Sequence, residues 1–374
     1  MSVSFVRLLL PQVLLLCWLC SSCGEELNVT ATPAHTGPYR AEVQISQDEK
    51  QRGAHVFSVE TNTDFQLYHD QQLEWITMVS WAFQNDFDSP AVSHNAGDSL
   101  RQWRYDSSWV RRIEFAREAG FKVFFKPHLW IHDPAPSKWR SDVFPASETD
   151  WISWQESYRE FILRYAKVAE AAHAEMYCIG VELTRLALEK PEFWRSLIAD
   201  VRSVYTGKLT YAANWHQEYE QIDFWNELDY IGVQAYFPLT EQACPTTQEI
   251  AAGWVPHLIK LEEIHDRFNR QIVFTEMGYR SSASAAIKPW EWAENSSVLD
   301  HSYSPETQLN CYDAFFNMVW RQDWFAGAHL WQMRSDYFER AEENDPDFFF
   351  QGKPAERLIA DGFTRAAGPR ETID

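Results

Sequence analysis

Short apolar runs recur along the chain from about residue 53, and helical patterns lie between most of them. The runs are rich in β-branched and aromatic residues, and they alternate little between polar and apolar positions. This pattern is typical of parallel strands that are buried on both faces of a sheet. Strands are predicted at His55–Glu60, Trp75–Ser80, Lys122–Lys126, Met176–Val181, Lys208–Ala213, Asp229–Gln234, Ile272–Thr275 and Ala326–Trp331.

Apolar residues at a helical spacing predict helices between these strands. Ser108 can cap a helix that Gly120 ends, and Pro191 stands in the first turn of a helix over Glu192–Tyr205. The connections after strands one and five are short, so little helix is expected there. Further helices are predicted at about Trp151–His173, Gln248–Phe268 and Glu306–Asp323, with a closing helix within Phe348–Phe363.

Eight strands with helical crossovers predict an α/β fold, a single (β/α)8 TIM barrel. In such a barrel the active site lies at the C-terminal ends of the strands. The alternative is a doubly wound open sheet. That fold is expected to contain a Gly-rich phosphate-binding turn after an early strand, and the sequence contains none.

The first residues are predicted to be a targeting segment. Arg7 precedes the apolar stretch Leu8–Cys20, which is too short to cross a bilayer and is interrupted by Pro11. Residues 1–23 are therefore predicted to be a signal peptide. The Ser-Ser-Cys23 end resembles a bacterial lipobox, whose cysteine is lipidated after cleavage.

Residues 24–52 are predicted to be a polar tether, and residues 53–374 the barrel domain. The expected location is outside the cytoplasm, at the cell envelope or cell surface, with the lipid anchor as the only contact with a membrane. The alternative is ordinary secretion after cleavage near the same place.

Composition narrows the possible partners. The chain of 374 residues has a formal net charge of −21, which disfavours binding to nucleic acid. Its 18 tryptophans are many; most are expected in the core, and some could form flat platforms for sugar rings. No metal site or cofactor is predicted, because the cysteines and histidines of the barrel lack ligand spacing.

Two glutamates carry the candidate chemistry. Glu182 and Glu276 each follow a short apolar run, at the ends of predicted strands four and seven. An ionised acid at the edge of a core is costly to desolvate, so two of them at one barrel mouth indicate a paired-acid site. Glycoside hydrolysis needs such a pair: one acid protonates the leaving oxygen, and the other attacks the anomeric carbon or activates water. Other acids predicted near this rim are expected to be solvated or paired: Glu60, Asp86, Asp88, Asp133 and Asp336.

Several short motifs together resemble glycoside hydrolase family 113, the retaining β-mannanases of a large clan of (β/α)8 glycosidases. The likeness runs from roughly Gly53 to Phe363. The motifs are Phe125-Lys-Pro-His-Leu-Trp130, Asp150-Trp-Ile-Ser-Trp154, Ile179-Gly-Val-Glu-Leu183, Tyr211-Ala-Ala-Asn-Trp215, Phe224–Tyr236 and Thr275-Glu-Met-Gly-Tyr-Arg-Ser281.

The resemblance implies roles for particular residues. Glu182 would be the acid/base and Glu276 the nucleophile of a double displacement on β-linked glycans, with β-1,4-mannan or manno-oligosaccharides as the expected substrates. Tyr236 would hydrogen-bond the nucleophile, and Trp331 would lie beneath the reacting sugar. Most members of the clan have an Asn directly before the acid/base, where it contacts the sugar 2-hydroxyl. This chain has Val181 at that position.

Further substrate contacts are predicted on the remaining strand ends. His128 could hydrogen-bond a hydroxyl, Asn214 and Trp215 could hold and stack a sugar, and Trp81 could line a subsite. For His128 and Trp81, structural packing is the equal alternative. Two other functions stay open: a glycan-binding lipoprotein without turnover, and a transglycosylase or β-glycosidase with a different sugar specificity.

Overall fold

The computed structural model describes residues 50–364 apart from 58, 61, 95–98, 136, 292–298 and 337–343. The predicted signal peptide, Cys23 and nearly all of the predicted tether lie outside these residues. Within them the chain forms a closed barrel of eight parallel strands surrounded by helices. The predicted (β/α)8 fold is therefore confirmed. None of the described helices is both long and apolar enough to span a membrane.

The barrel strands follow one another around the barrel in chain order. The last strand pairs with the first, Gln51 lying opposite Gly327. The strands of the barrel are β1 Gln51–Phe57, β2 Trp75–Met78, β4 Lys122–Phe125, β6 Met176–Val181, β7 Lys208–Asn214, β8 Ile231–Gln234, β9 Ile272–Met277 and β10 Phe325–Arg334.

Two further strands, β3 (Trp81–Gln84) and β5 (His128–Ile131), continue β2 and β4 beyond the mouth of the barrel. Their register matches that of the barrel pair: Trp75 lies opposite Lys122, and Trp81 lies opposite His128, each 47 positions further along the chain. The ladder between strands two and three therefore extends outward as a two-stranded ribbon. This ribbon carries Trp81 and His128 on one wall of the mouth.

The first strand begins four residues earlier than predicted, inside the segment assigned to the tether. Its first two residues, Gln51 and Arg52, are polar, so a search for apolar runs did not include them. Both have partners at the base of the barrel: Gln51 accepts a hydrogen bond from His329 (2.8 Å), and Arg52 pairs with Glu74.

In the described residues every predicted helix is present with shifted ends, and α4 is an additional helix that was not predicted. They are α1 Gln66–Asp70, α2 Ser99–Glu118, α3 Glu148–Ala171, α4 Thr184–Glu189, α5 Pro191–Arg202, α6 Glu218–Gln221, α7 Thr247–Phe268, α8 Pro305–Met318 and α9 Pro354–Phe363. As expected, little helix follows strands one and five: among the described residues, α1 follows the first, and α6 with a 3-10 turn at Trp225–Glu227 follows the fifth. The start predicted at Ser108 is wrong, because the first two turns of α2 are mostly polar and show no apolar stripe.

Candidate active site

Glu182 and Glu276 lie at the same mouth of the barrel, since all barrel strands are parallel. Glu182 directly follows β6, and its backbone N–H donates to the carbonyl of Ala212. Glu276 is the next-to-last residue of β9 and lies opposite Gln234 of β8. Each glutamate is 7% exposed. The two buried carboxylates are thus presented at nearly the same height of one barrel, three strands apart.

Glu276 is surrounded by hydrogen-bond donors. Its Oε2 accepts from Lys126 Nζ (2.8 Å) and Gln234 Nε2 (2.9 Å), and its Oε1 accepts from the hydroxyl of Tyr236 (2.5 Å). His55 Nε2 lies 3.8 Å from Oε2. We call Glu276 and these four residues the carboxylate cluster. The hydrogen bond that the family resemblance implies between Tyr236 and Glu276 is present.

The cluster holds Glu276 in its ionised form. Burial alone would raise the pKa of Glu276, but the charge of Lys126 and the hydrogen bonds from Lys126 and Tyr236 lower it to about 2. Burial, with Lys126 nearby, lowers the pKa of His55 to about 3, so this ring is neutral near pH 7. Burial and the charge of Glu276 raise the pKa of Tyr236 well above its usual value, so it stays a donor. Lys126 is therefore the counterion of Glu276.

Sequence reasoning missed Lys126, although a signal was available. Its side chain is fully buried at the end of strand three and also donates to Gln234 Oε1 (2.8 Å) and the carbonyl of Thr275 (3.2 Å). A lysine directly after a buried strand is as costly to desolvate as a carboxylate. The physical argument that singled out the two glutamates therefore applied equally to this residue.

Glu182 has a different environment. Its Oε2 accepts from Arg140 Nη2 (2.8 Å) and Trp139 Nε1 (3.2 Å), both from the loop between β5 and α3. Arg140 also points Nη1 at His128 Nδ1 (3.4 Å). Trp139 is 49% exposed, so part of its ring faces solvent beside the carboxylate. No periodic pattern marks this loop, so neither residue could be selected from the sequence.

The backbone at Glu182 is unusual. Its φ is 53°, in the left-handed region that a non-glycine residue adopts at a cost. The next residue, Leu183, donates its N–H to the hydroxyl of Tyr211 (2.8 Å). Asn214, a predicted substrate contact, donates its Nδ2 to Thr184 Oγ1 (3.1 Å). Asn214 therefore contacts the turn that presents Glu182.

The predicted aromatic contacts lie in three separate places. Trp331 packs on His55 of the carboxylate cluster, with ring centroids 5.1 Å apart, and is partly exposed. It lies inside β10, which continues to Arg334. On the ribbon, the Trp81 ring meets the edge of His128 at 5.1 Å. Trp215 lies apart from both and stacks on Trp290 at 4.9 Å.

His128 is a buried, neutral ring. Burial and the nearby charges of Lys126 and Arg140 hold its pKa well below the usual value. Its Nε2 atom is buried and has no protein partner in the structure. A hydroxyl contact through Nε2 stays a prediction.

Several predicted rim acids have structural partners. Glu60 pairs with Arg112 (2.7 Å), Asp336 pairs with Arg334 (2.9 Å), and Asp86 accepts backbone N–H bonds. Among the described residues, no group of three or more His, Cys, Asp or Glu side chains is arranged to hold a metal ion.

A closed parallel barrel with two buried carboxylates at its C-terminal mouth is an arrangement suited to glycoside hydrolysis. The sequence model of Glycoside Hydrolase Family 113 matches residues 49–353. The chain therefore belongs to glycoside hydrolase family 113 and is a glycoside hydrolase. A search of curated proteins found no match.

Solved structures share the fold. A GH113 β-1,4-mannanase is 24% identical with a TM-score of 0.70, and the match covers 85% of this chain and 100% of that one. The GH113 β-mannanase AaManA from Alicyclobacillus acidocaldarius, solved in complex with ManMIm, is 24% identical with a TM-score of 0.67, over 84% and 97%. A β-glucuronidase from Ruminococcus gnavus is 13% identical with a TM-score of 0.55, over 84% and 50%.

Proposed function

We propose that this enzyme cleaves β-1,4-mannan or manno-oligosaccharides with retention of anomeric configuration. The observation that carries the proposal is the contrast between the two acids. Glu276 is held ionised by a buried lysine and two further donors, whereas the hydrogen bonds that the described residues donate to the Glu182 side chain both go to its Oε2. A fixed anion beside a second carboxyl group is what double displacement requires.

In the first step, Glu276 attacks the anomeric carbon and forms a covalent glycosyl ester as the glycosidic bond breaks. Protonated Glu182 gives its proton to the departing oxygen. In the second step, Glu182 takes a proton from water, and that water attacks the anomeric carbon and releases Glu276. The Tyr236 hydroxyl and Lys126 keep the attacking oxygens aimed at the site of reaction.

Arg140 lies beside the proposed acid/base. Its Nη2 donates to Glu182 Oε2 at 2.8 Å. Double displacement uses Glu182 in its protonated form in the first step and in its ionised form in the second.

The choice of mannan rests on the similar structures, two of which are described as β-mannanases. Partly exposed aromatic rings around the mouth support a polysaccharide substrate, because sugar C–H faces pack well on them. Trp81, Trp139 and Trp331 lie close to the candidate acids, and Trp215 with Trp290 forms a separate stacked pair.

The experiment that tests the substrate is hydrolysis of a panel of β-1,4-mannan, β-glucan and xylan, followed by reducing-sugar detection and product analysis. We expect release of manno-oligosaccharides and little release from the other two polymers. Preferred cleavage of glucan or xylan would overturn the mannan assignment. Binding to mannan without any release would instead support a glycan-binding protein. The Glu276→Gln variant is the control for contaminating activity.

We also propose that the enzyme acts outside the cytoplasm, attached through Cys23. The apolar segment Leu8–Cys20 and the small residues before Cys23 support this location. Replacement of Cys23 with Ser is expected to release the protein from the membrane fraction when the full chain is expressed in a bacterial host.

A further inference from the structure

A third carboxylate near the mouth has no part in the mechanism above. Glu218 is the first residue of α6, and its side chain has no solvent exposure. It accepts three hydrogen bonds: from the Tyr211 hydroxyl (2.5 Å), from the backbone N–H of Asn214 (2.7 Å) and from the Thr184 hydroxyl (2.9 Å). A buried acid with this many partners needs an explanation, because an ionised carboxylate at such a site is costly.

Two of these donors belong to the support of Glu182. The Tyr211 hydroxyl that donates to Glu218 also accepts the N–H of Leu183, the residue after Glu182. Thr184, the next residue, donates directly to Glu218. Both residues that follow Glu182 are thus tied to one buried carboxyl group. Since Glu182 has a φ of 53°, its backbone is retained only if surrounding contacts hold it.

We infer that Glu218 is a positioning residue that fixes the turn presenting the acid/base Glu182. The inference rests on the proposed role of Glu182. Glu218 acts through Tyr211 and Thr184, and its hydrogen bonds go to protein groups. Loss of its acceptor oxygens would leave the turn free to relax and would move the Glu182 carboxyl away from the leaving oxygen.

All three partners of the Glu218 side chain are hydrogen-bond donors, so an amide at this position cannot accept all three bonds. The Asn214 N–H can only donate, and the Tyr211 and Thr184 hydroxyls each have one proton, which is directed at Glu218. In Glu218→Gln, the new NH₂ group must face at least one of these donors. Burial also raises the pKa of Glu218 to about 7, against the effect of its three donors, so assays belong at a fixed pH above that value.

The test compares two substrates that differ in their need for an acid. A manno-oligosaccharide has a poor leaving group, a sugar hydroxyl that must be protonated. A dinitrophenyl β-mannoside releases dinitrophenolate, which leaves without protonation. For Glu218→Gln we expect kcat/KM on the oligosaccharide to fall about tenfold to a hundredfold, as for a misplaced catalytic group. On the dinitrophenyl substrate we expect a change of less than about threefold, since the nucleophile is untouched.

The matched control is Glu220→Gln, which makes the same chemical change two residues further along α6. Glu220 forms a surface ion pair with Lys260 (3.1 Å), so both substrates should be cleaved at the normal rate. Should Glu218→Gln fail to fold, Tyr211→Phe removes the linking hydroxyl and should show the same dependence on the leaving group. Equal losses on both substrates, or none, in the folded variant would overturn the inference.

Glu182→Gln in the same assay separates this inference from the proposed function. Its kcat/KM should fall by roughly 10²–10⁴ on the oligosaccharide and by far less on the dinitrophenyl substrate. If Glu182→Gln loses equally on both, the acid assignment itself is wrong. If Glu182→Gln shows the dependence and Glu218→Gln does not, only the positioning role is wrong.

Discussion

At the scale of single residues, one buried cation governs the chemistry of Glu276. Lys126 Nζ donates to Glu276 and Gln234, and no part of the lysine side chain is exposed. Burial of either charge alone would be strongly unfavourable, and each offsets the cost of the other. Together with Tyr236, the lysine lowers the pKa of this strand-end carboxylate and keeps it ionised near neutral pH.

Replacement of Lys126 with Met is expected to move the acidic limb of the kcat/KM–pH profile to higher pH. With Lys126 present, the pKa of Glu276 is about 2, so this proposed nucleophile is ionised across the ordinary assay range. Without it, burial is no longer opposed by that charge, and the pKa of Glu276 rises. Because the ionised form is the active one, kcat/KM should then fall at a higher pH as acid is added.

Lys353→Met is the matched control for that measurement. Lys353 is also largely buried, but it contacts Ser281 (2.7 Å), away from the carboxylate cluster. Its replacement is expected to lower stability without moving the acidic limb. An unchanged limb in Lys126→Met would show that another group keeps Glu276 ionised.

Strand ends explain which site residues could be found from the sequence. Glu182, Glu276 and Tyr236 follow or end short apolar runs, and the structure brings the latter two into hydrogen-bonding contact. Arg140 and Trp139 could not be found in this way, because an irregular loop carries them to Glu182. Its path depends on tertiary contacts that leave no periodic pattern.

At the scale of elements, the sequence predicts the start of a helix closely where a capping residue or a first-turn proline marks it. Helix α3 begins after Ser147, whose hydroxyl accepts the N–H of Asp150, and α5 begins at Pro191. Both starts lie within three residues of the prediction. In contrast, α2 begins nine residues before Ser108, and the apolar side chains that it is seen to bury, among those described, lie after Ser108.

The cap of α7 offers an element-scale prediction. Thr246 accepts the N–H of Glu249, and Glu249 accepts the N–H of Thr246, which forms a capping box. Thr246→Ala removes the hydroxyl acceptor and should lower the free energy of unfolding by about 0.5–2 kcal/mol. Chemical denaturation measures this change, with Thr246→Ser as the control that keeps the hydroxyl. Hydrolysis should be unaffected, so a loss of activity in Thr246→Ala would show that the cap also supports the site.

At the scale of the whole molecule, barrel closure assembles the site from distant segments. His55 of β1, Lys126 after β4, Gln234 of β8 and Glu276 of β9 meet inside one mouth. The number of barrel strands and their order followed from the sequence pattern, whereas the outer ribbon of β3 and β5 did not. The distances between these side chains did not, because they depend on the stagger of the closed sheet.

The most direct test of the account is to trap the covalent intermediate. A 2-deoxy-2-fluoro-β-mannosyl fluoride slows the second step, so the glycosyl-enzyme should accumulate and be found by mass spectrometry of proteolytic peptides. We predict one added fluorosugar on the peptide that contains Glu276, and none in the Glu276→Gln variant. A label on Glu182 or on another residue, or inverted product with no labelled enzyme, would contradict the account.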